Sequence, residues 1–526
     1  MRTHRIAAPP DRVLAAADER ITLGFADPAA VTIEGDTITW TSRSDLVEEA
    51  TRVAVVEEDG GSTRVTLRAE YRLSMPYFGW LYRPLIRRAL NRSLDHLAEV
   101  LIARTAGTAE PPAPKRPVWL PNDQLDATQT ATLATIAAVL VIAGYGGGLF
   151  TQTIDFVAKS FHASDADLGV ALAITRIGTL VGVAGSALAD RRGRRRIMLG
   201  AVAAICAASA LTALAPNLVL FTLLQVIVRG SVQLATVVGF IAVTEEAPEG
   251  SRAYLLAIAG AAAGAGFAFG ALILPISDIA RWAWRLMFVI AALGLAALPA
   301  LSQRLRETGR YSAMGGRAAA ARAKELIDQV YGGRFVYVAV AVFLLGFFGT
   351  PSLQFTNRYL QDERGFTAFG IVALRAVTQS IPALVGIILG GRLAESHGRR
   401  PIAAWSTFVL AIATAGFFLF GGPTLWFAMF VGTVAGAMSG PALTAFNTEL
   451  FPTEVRGRAA GALLGAGVAG SAMGLLLVGY LSDPLGGVGK AIAVTCVVPL
   501  IVAAFVIPKL PEGRGRALDE LSPPEV

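Results

Sequence analysis

Polar and apolar positions change their period twice along the chain. Residues 31–33, 37–40 and 64–71 alternate as half-buried strands do, with Asp59-Gly60-Gly61 as a turn between them. Over 81–104 the apolar residues Ile86, Leu90, Leu94, Leu97 and Leu101 return every three or four positions, while Arg87, Arg88, Arg92 and Glu99 take other faces. That spacing predicts an amphipathic helix, and a shorter one is predicted over 11–19. Residues 105–117, rich in Pro and Ala, read as an extended linker. Beyond them come twelve apolar runs, 128–153, 167–188, 197–214, 218–243, 253–275, 284–301, 335–357, 368–393, 402–420, 424–447, 459–481 and 489–507. Each is near the ~20 residues that cross a hydrocarbon core of ~30 Å.

The predicted organisation is therefore a soluble α+β domain over 1–110 and a Pro-rich linker over 111–127. A six-helix bundle over 128–302, a basic central loop over 303–334, a second six-helix bundle over 335–508 and a tail over 509–526 complete it. The fold class expected is an all-α polytopic membrane protein with a small α+β domain in front.

Composition agrees with that pattern. Of 526 residues, 54% are hydrophobic and 16% charged, against about 25% charged in soluble proteins, which excludes a wholly cytosolic enzyme. Cys206 and Cys496 both lie inside apolar runs, so neither a disulfide framework nor a cysteine metal site is expected. No cofactor is expected either, and without a GxxxxGK[ST] motif direct ATP drive is unsupported. Residues 1–116 hold 16 basic and 16 acidic side chains, so the net charge of +7 belongs to the apolar part. Basic residues there punctuate hydrophobic runs instead of clustering on a soluble face, which points to lipid headgroups and away from nucleic acid.

Orientation follows from the same charges. With the amino end cytosolic, Arg191, Arg192, Arg194, Arg195, Arg196, Arg252, the central loop's arginines, Arg399, Arg400, Arg456 and Arg458 all fall on the cytosolic side. The expectation is a multi-pass protein of the plasma (inner) membrane with both termini in the cytosol. The first twenty residues contain no apolar signal segment.

Two loop motifs repeat. Leu188-Ala189-Asp190-Arg191-Arg192-Gly193-Arg194-Arg195 returns 205 residues later as Leu393-Ala394-Glu395-Ser396-His397-Gly398-Arg399-Arg400. Glu245-Glu246-Ala247-Pro248-Glu249-Gly250-Ser251-Arg252 returns 204 residues later as Glu449-Leu450-Phe451-Pro452-Thr453-Glu454-Val455-Arg456. Two independent motifs at nearly one spacing imply two similar six-helix halves. The glycines permit tight reversals and the arginines pin the cytosolic face.

These residues resemble the major facilitator superfamily of secondary transporters over roughly 125–510. The 449–458 motif, with Trp284-Arg285 and the 306–311 segment, further resembles its sugar-porter and metabolite:proton-symporter branches. Ser186 departs from the pattern, standing where a first glycine is expected. The resemblance implies alternating access and a cytosolic latch formed by Asp190, Arg191, Gly193, Arg194, Glu245, Arg252, Glu395, Gly398, Arg399, Glu449 and Arg456. The soluble domain's pattern of helix, strands and long closing helix resembles the START-like helix-grip fold, shorter than usual, with a reduced cavity.

Candidate substrate-pathway residues come from the spans. Arg176 and Arg229 lie near mid-span, where an arginine costs roughly 2.5–3.5 kcal/mol on insertion scales, so they should face the bundle interior. Together they suit an anionic substrate held in bidentate fashion, the alternative for Arg229 being a structural pair with Asp155 or Glu245. Arg375, one to two turns inside its span, is expected to snorkel outward. Gln152, Gln225, Gln233, Gln354, Asn357, Gln379 and Asn447 add polar groups, with Asp155 at the outer end of the first span; membrane amides also serve as interhelical glue.

The leading expectation is transport of a small organic solute, proton-coupled, with an anionic metabolite as candidate and a monomer as the working unit. The alternatives are an exporter, weakened by a missing Gly-Pro pair in the fifth span, and a transporter gated by a ligand of the START-like domain. A tethered enzyme is the weakest, because His4, Asp95 and His96 show no acid-base spacing.

Overall fold

A computed structural model describes residues 2–17, 21–23, 25, 30–44, 47–59, 62–115, 117, 119–121, 123, 125–305, 332–449 and 453–509. They belong to two compact units, Met1–Leu140 with Gly239–Ala262 and Pro299–Arg310, and Val141–Val238 with Ala263–Leu298 and Tyr311–Val526.

In the first unit, β1 (Arg2–Ile6), β2 (Ala30–Glu34), β3 (Thr37–Ser44), β4 (Val47–Asp59) and β5 (Ser62–Leu73) form an antiparallel sheet of order β1-β5-β4-β3-β2. The alternation read in the sequence sets its faces: Ile38, Trp40, Ala54, Val56, Val65 and Leu67 are buried, with polar residues between them. Helices α1 (Pro10–Ala17) and α2 (Gly79–Ala106) close over that face, and Leu94, Leu97 and Leu101 complete the core. Strand β1 has little apolar signal, because only Ile6 of its five residues is buried; its pairing with β5 holds it in place.

The linker is more firmly held than an extended Pro-rich segment would be. The Tyr254 hydroxyl donates to the Trp119 carbonyl at 2.6 Å, and the Asp123 amide donates to Ser251 Oγ at 2.7 Å. Trp119 packs by Phe25 and Tyr82, and Leu120 and Leu125 are buried. These large apolar side chains outweigh the extended bias of the prolines before them.

Among the described residues, eleven helices are long and apolar enough to cross a membrane, beginning with Ala127–Phe161 and ending with Val488–Lys509. The remaining predicted run falls in helix Pro423–Glu449, whose apolar part Pro423–Ser439 is shorter than the others. The side chains of 440–460, Asn447, Glu449 and Arg456 among them, and residues 306–331 of the central loop lie outside what is described. Leu214, Ile279, Trp282, Leu293, Phe369, Ile381, Phe427 and Phe505 are more than half exposed, an apolar surface far beyond what a soluble protein shows and suited to lipid.

Glycines fix how the helices of the second unit approach. A Cβ on Gly178 or Gly182 of the second span would stand 2.2 or 2.3 Å from a carbonyl oxygen of the fourth, at Val226 or Gly230. Gly386 and Gly390, each 208 residues further on, meet the carbonyls of Val434 and Met438 at 2.4 and 2.6 Å. The repeat read in the loops is therefore a repeat in packing. Loop geometry repeats too, since Gly193 and Gly398 share φ near +90 to +100°, at 88° and 101°, a region that favours glycine.

Replacing Gly178 by Val should lower the melting temperature in detergent by several degrees, as overpacking costs about 1–3 kcal/mol or more. Gly200→Ala, where a Cβ meets nothing within 4 Å, should be neutral or stabilising. Equal melting temperatures for the two variants would contradict this account.

Candidate functional site

The Gly178–Gly230 crossing determines where two charges go. Arg176 precedes one glycine by two residues and Arg229 adjoins the other, so close backbone approach carries both guanidinium groups to one wall. They line a cavity of about 490 Å³ together with Gly147, Thr151, Phe267 and Gln354. With the Gln354 carboxamide nitrogen donating to the Thr151 hydroxyl, its oxygen accepts from Arg176 Nη2 at 2.7 Å and Arg229 Nη2 at 3.0 Å. A single neutral oxygen thus stands between two cations. Like charges ~5 Å apart repel by about 3 kcal/mol at an effective dielectric of ~20, and no acid lines the cavity among the described residues. Among the described residues the cavity therefore carries an uncompensated positive charge.

Three other predicted pathway residues stand toward the end of the bundle that carries the 162–164 and 364–367 turns. Asn357 Nδ2 donates to the Gln152 carbonyl at 2.9 Å and to its Oε1 at 3.2 Å. Asp155, 1% exposed, accepts from Lys159 and from Arg358, each at 2.6 Å, and so is committed to them and not to Arg229. Arg358 also reaches Asp165 at 3.1 Å and Asp362 at 3.3 Å. Asp155, Lys159 and Asp165 come from the first half and Arg358 and Asp362 from the second, so the cluster ties the halves together. Around it Phe150, Ile154, Val157, Leu168, Phe355, Leu360 and Leu374 form one apolar cluster that seals this end.

Arg375 does not snorkel. It is 8% exposed and donates to Gln152 Oε1 at 2.8 Å and Asn357 Oδ1 at 2.7 Å, because inward amide oxygens are nearer than headgroups. A π-helical turn, Ala376–Ser380, follows it directly and another, Tyr359–Glu363, follows Arg358. Pro382 removes a ladder N–H just after the first, and such turns are frequent at functional positions. The signal for Arg358 was its place one residue after Asn357 on a helix that already carried Gln354.

The other predicted residues do not gather here. Gln225 is buried and donates to Thr212 Oγ1 at 3.1 Å, joining the third and fourth spans as glue. Gln233 adjoins Gly182 at the helix crossing, and Gln379 is half-buried in the π turn. Of the residues assigned to the latch, Gly193 and Gly398 end their helices alike, each N–H donating to the carbonyl four residues back. Arg194 is buried, Arg399 is half-buried, and Glu245 and Arg252 are half-buried at their helix ends. The side chains of Asp190, Arg191 and Glu395 lie outside what is described.

The family model described as "Major Facilitator Superfamily" matches residues 136–378 and 368–522. The chain belongs to the major facilitator superfamily. It is accordingly a multi-pass membrane protein that moves a small solute by alternating access, and not an enzyme. A Bacillus subtilis (strain 168) protein named for metabolite transport, YwtG, is 23% identical over 436 residues, 72% of this chain and 91% of that one. The gallate transporter of Pseudomonas putida is 23% identical over 456 residues, 77% and 97% of the two chains. Among solved structures, the inward open xylose transporter XylE from E. coli shares the fold with TM-score 0.62 and 19% identity, over 75% of this chain and 99% of that one.

Removing one buried partner of an ion pair costs about 3 kcal/mol or more. Arg358→Gln should therefore raise the open fraction of the sealed end at least ~10-fold, read as maleimide labelling of a cysteine replacing the fully buried Leu360 in a background without Cys206 and Cys496. Adding Asp155→Asn should return part of the effect. Unchanged labelling in Arg358→Gln would mean that the cluster does not hold this end closed.

Proposed function

We propose that this superfamily member carries a small organic carboxylate, with Arg176 and Arg229 holding the anion and Gln354 giving way to it. The observation that carries the reading is the pair of guanidinium groups sharing one neutral oxygen in a cavity that no acid lines among the described residues. Phe267, Val232, Leu345 and Leu353 supply an apolar wall beside the cations, suited to the ring of a hydroxylated benzoate. The gallate transporter among the relatives supports that size and charge.

Twelve spans with both termini cytosolic complete the proposal, with helix Pro423–Glu449 as the tenth and the inner membrane as its place. The sealed end is then the outer one, and the conformation is inward-facing. The Asp190, Glu245, Glu395 and Glu449 latch belongs to the opposite state; the matched turns at Gly193 and Gly398 support it. Proton coupling finds support in the solved D-xylose-proton symporter, which shares the fold with TM-score 0.63. No acid lines the cavity among the described residues, and Asp155, Asp165 and Asp362 are carboxylates at the seam between the halves. The START-like reading of the first domain rests on its antiparallel sheet and long closing helix. Trp40, Leu67, Leu97 and Leu101 fill its interior, which favours a structural role over gating by a ligand.

In proteoliposomes, gallate and benzoate should compete for saturable uptake. Arg229→Lys and Arg176→Lys should each weaken half-saturation by about 10- to 100-fold, since a hydrogen bond to a charged group contributes ~1.5–3 kcal/mol and an ammonium cannot reproduce the guanidinium fork. The two substitutions should also couple in a double-mutant cycle. Unaltered affinity in both single variants would remove the anion site and leave the transporter without an assigned substrate class.

A further inference from the structure

Arg375 resembles the cavity arginines in one chemical respect. Its acceptors are neutral amide oxygens, Gln152 Oε1 and Asn357 Oδ1. After those bonds, Arg375 Nε and Gln152 Nε2 still have no acceptor. Gln152 is fully buried, as is Asn357. The cluster thus presents one whole positive charge and two spare N–H donors in a buried place. Asp155, one turn along the first span from Gln152, has an oxygen on Lys159 and the other on Arg358 and leaves the Arg375 charge unneutralised.

A structural arginine is ordinarily matched to a carboxylate, because an uncompensated buried charge is costly. Amide oxygens recover only part of what hydration supplied. Acceptors that are neutral and borne on the two opposing halves are placeholders: when the halves part at the sealed end, Gln152 leaves with the first span while Arg375 and Asn357 stay on the second half. The guanidinium is then left facing the opening.

The position fits a path. Asn357 follows Gln354 by three residues, about 4.5 Å of helix at 1.5 Å per residue, and Gln152 adjoins Thr151. The Arg375 tier therefore lies about one helical turn from the Arg176–Arg229 tier, and the Asp155–Arg358 cluster lies beyond it toward the sealed end.

We propose that Arg375, with Asn357 and Gln152, is a second anion-binding station, which takes the carboxylate when the sealed end opens and hands it to Arg176 and Arg229. The station rests on the anion reading of the cavity and adds a site to it. It is selective for anions with two oxygen acceptors, since Arg375 offers Nε and Nη donors in a planar fork.

The test uses the full-length protein oriented in proteoliposomes with gallate as probe, and benzoate as a second, applied from either side. Arg375→Gln should raise half-saturating gallate at least tenfold from the side of the 162–164 turn and by less than twofold from the other. Gln152→Leu, which removes one acceptor and one spare donor while keeping bulk, should give a smaller rise on the same side, and Arg375→Lys should not restore affinity. A purely structural interlock would instead alter both sides together. Saturable gallate uptake by the wild type, with Arg375→Gln and Gln152→Leu unchanged or shifted equally from both sides, overturns the station and leaves the cavity reading intact. No saturable uptake of either probe by the wild type overturns both. Should Arg375→Gln fail to fold, the sidedness of Gln152→Leu decides alone.

Discussion

A guanidinium group inside an apolar bundle must find its partners in the protein, and three of them here are given amides in place of acids. Every Asp and Glu of the spans lies within two turns of a span end, whereas Arg176 and Arg229 lie deeper, and Arg375 stands about two turns inside its span. The interior is therefore positive and the ends are mixed. Gln354 holds two of the cations and Gln152 with Asn357 holds the third. Holding them that way is expensive compared with a carboxylate, because a neutral oxygen offers no net charge. On the proposed anion reading the expense has a use, since a resident carboxylate would compete with the solute.

The small residues serve the same end. Gly178 and Gly230 let the second and fourth spans touch backbone to backbone, and this contact brings Arg176 and Arg229 to one wall. Any side chain at either glycine would separate the helices and with them the charges. In the other half the equivalent contact, at Gly386 and Gly390, lies on the span Ala368–Ala394, which also carries Arg375 near its other end. The packing contact is thus repeated in both halves, and in the first it also places the two charges.

Much of this was readable without coordinates. The apolar runs, the repeated Asp190 and Glu395 loops, the closing helix of the first domain and the interior-facing pair at 176 and 229 all have local causes, namely hydropathy, spacing and the cost of charge. Arg375 was misread because depth along a helix says nothing about which face a side chain takes, and Gln152 on another half turned out to be its nearest acceptor. Arg358 escaped notice for a similar reason: at the end of a span it looked like an ordinary loop charge. Strand β1 is polar and owes its conformation to β5. Gln225 shows the converse limit, since an amide in a span reads the same whether it meets a solute or Thr212.

The order of the polar tiers along the seam between the halves carries its own logic. Nearest the cavity the partners are neutral, at Thr151 and Gln354; next they are neutral amides on a cation, at Gln152, Asn357 and Arg375. Among the described residues, full ion pairs along the seam appear only at the end, at Asp155, Arg358, Asp165 and Lys159. At the end of the bundle, charges that separate are hydrated as the seam opens, which offsets part of the cost of breaking a buried ionic lock. Deeper in, separated full charges would be left in a dry gap, and amide contacts break more cheaply there than ion pairs do. A seam that must open and close on each cycle is best built with its strongest charges where water arrives first, and this chain has that arrangement.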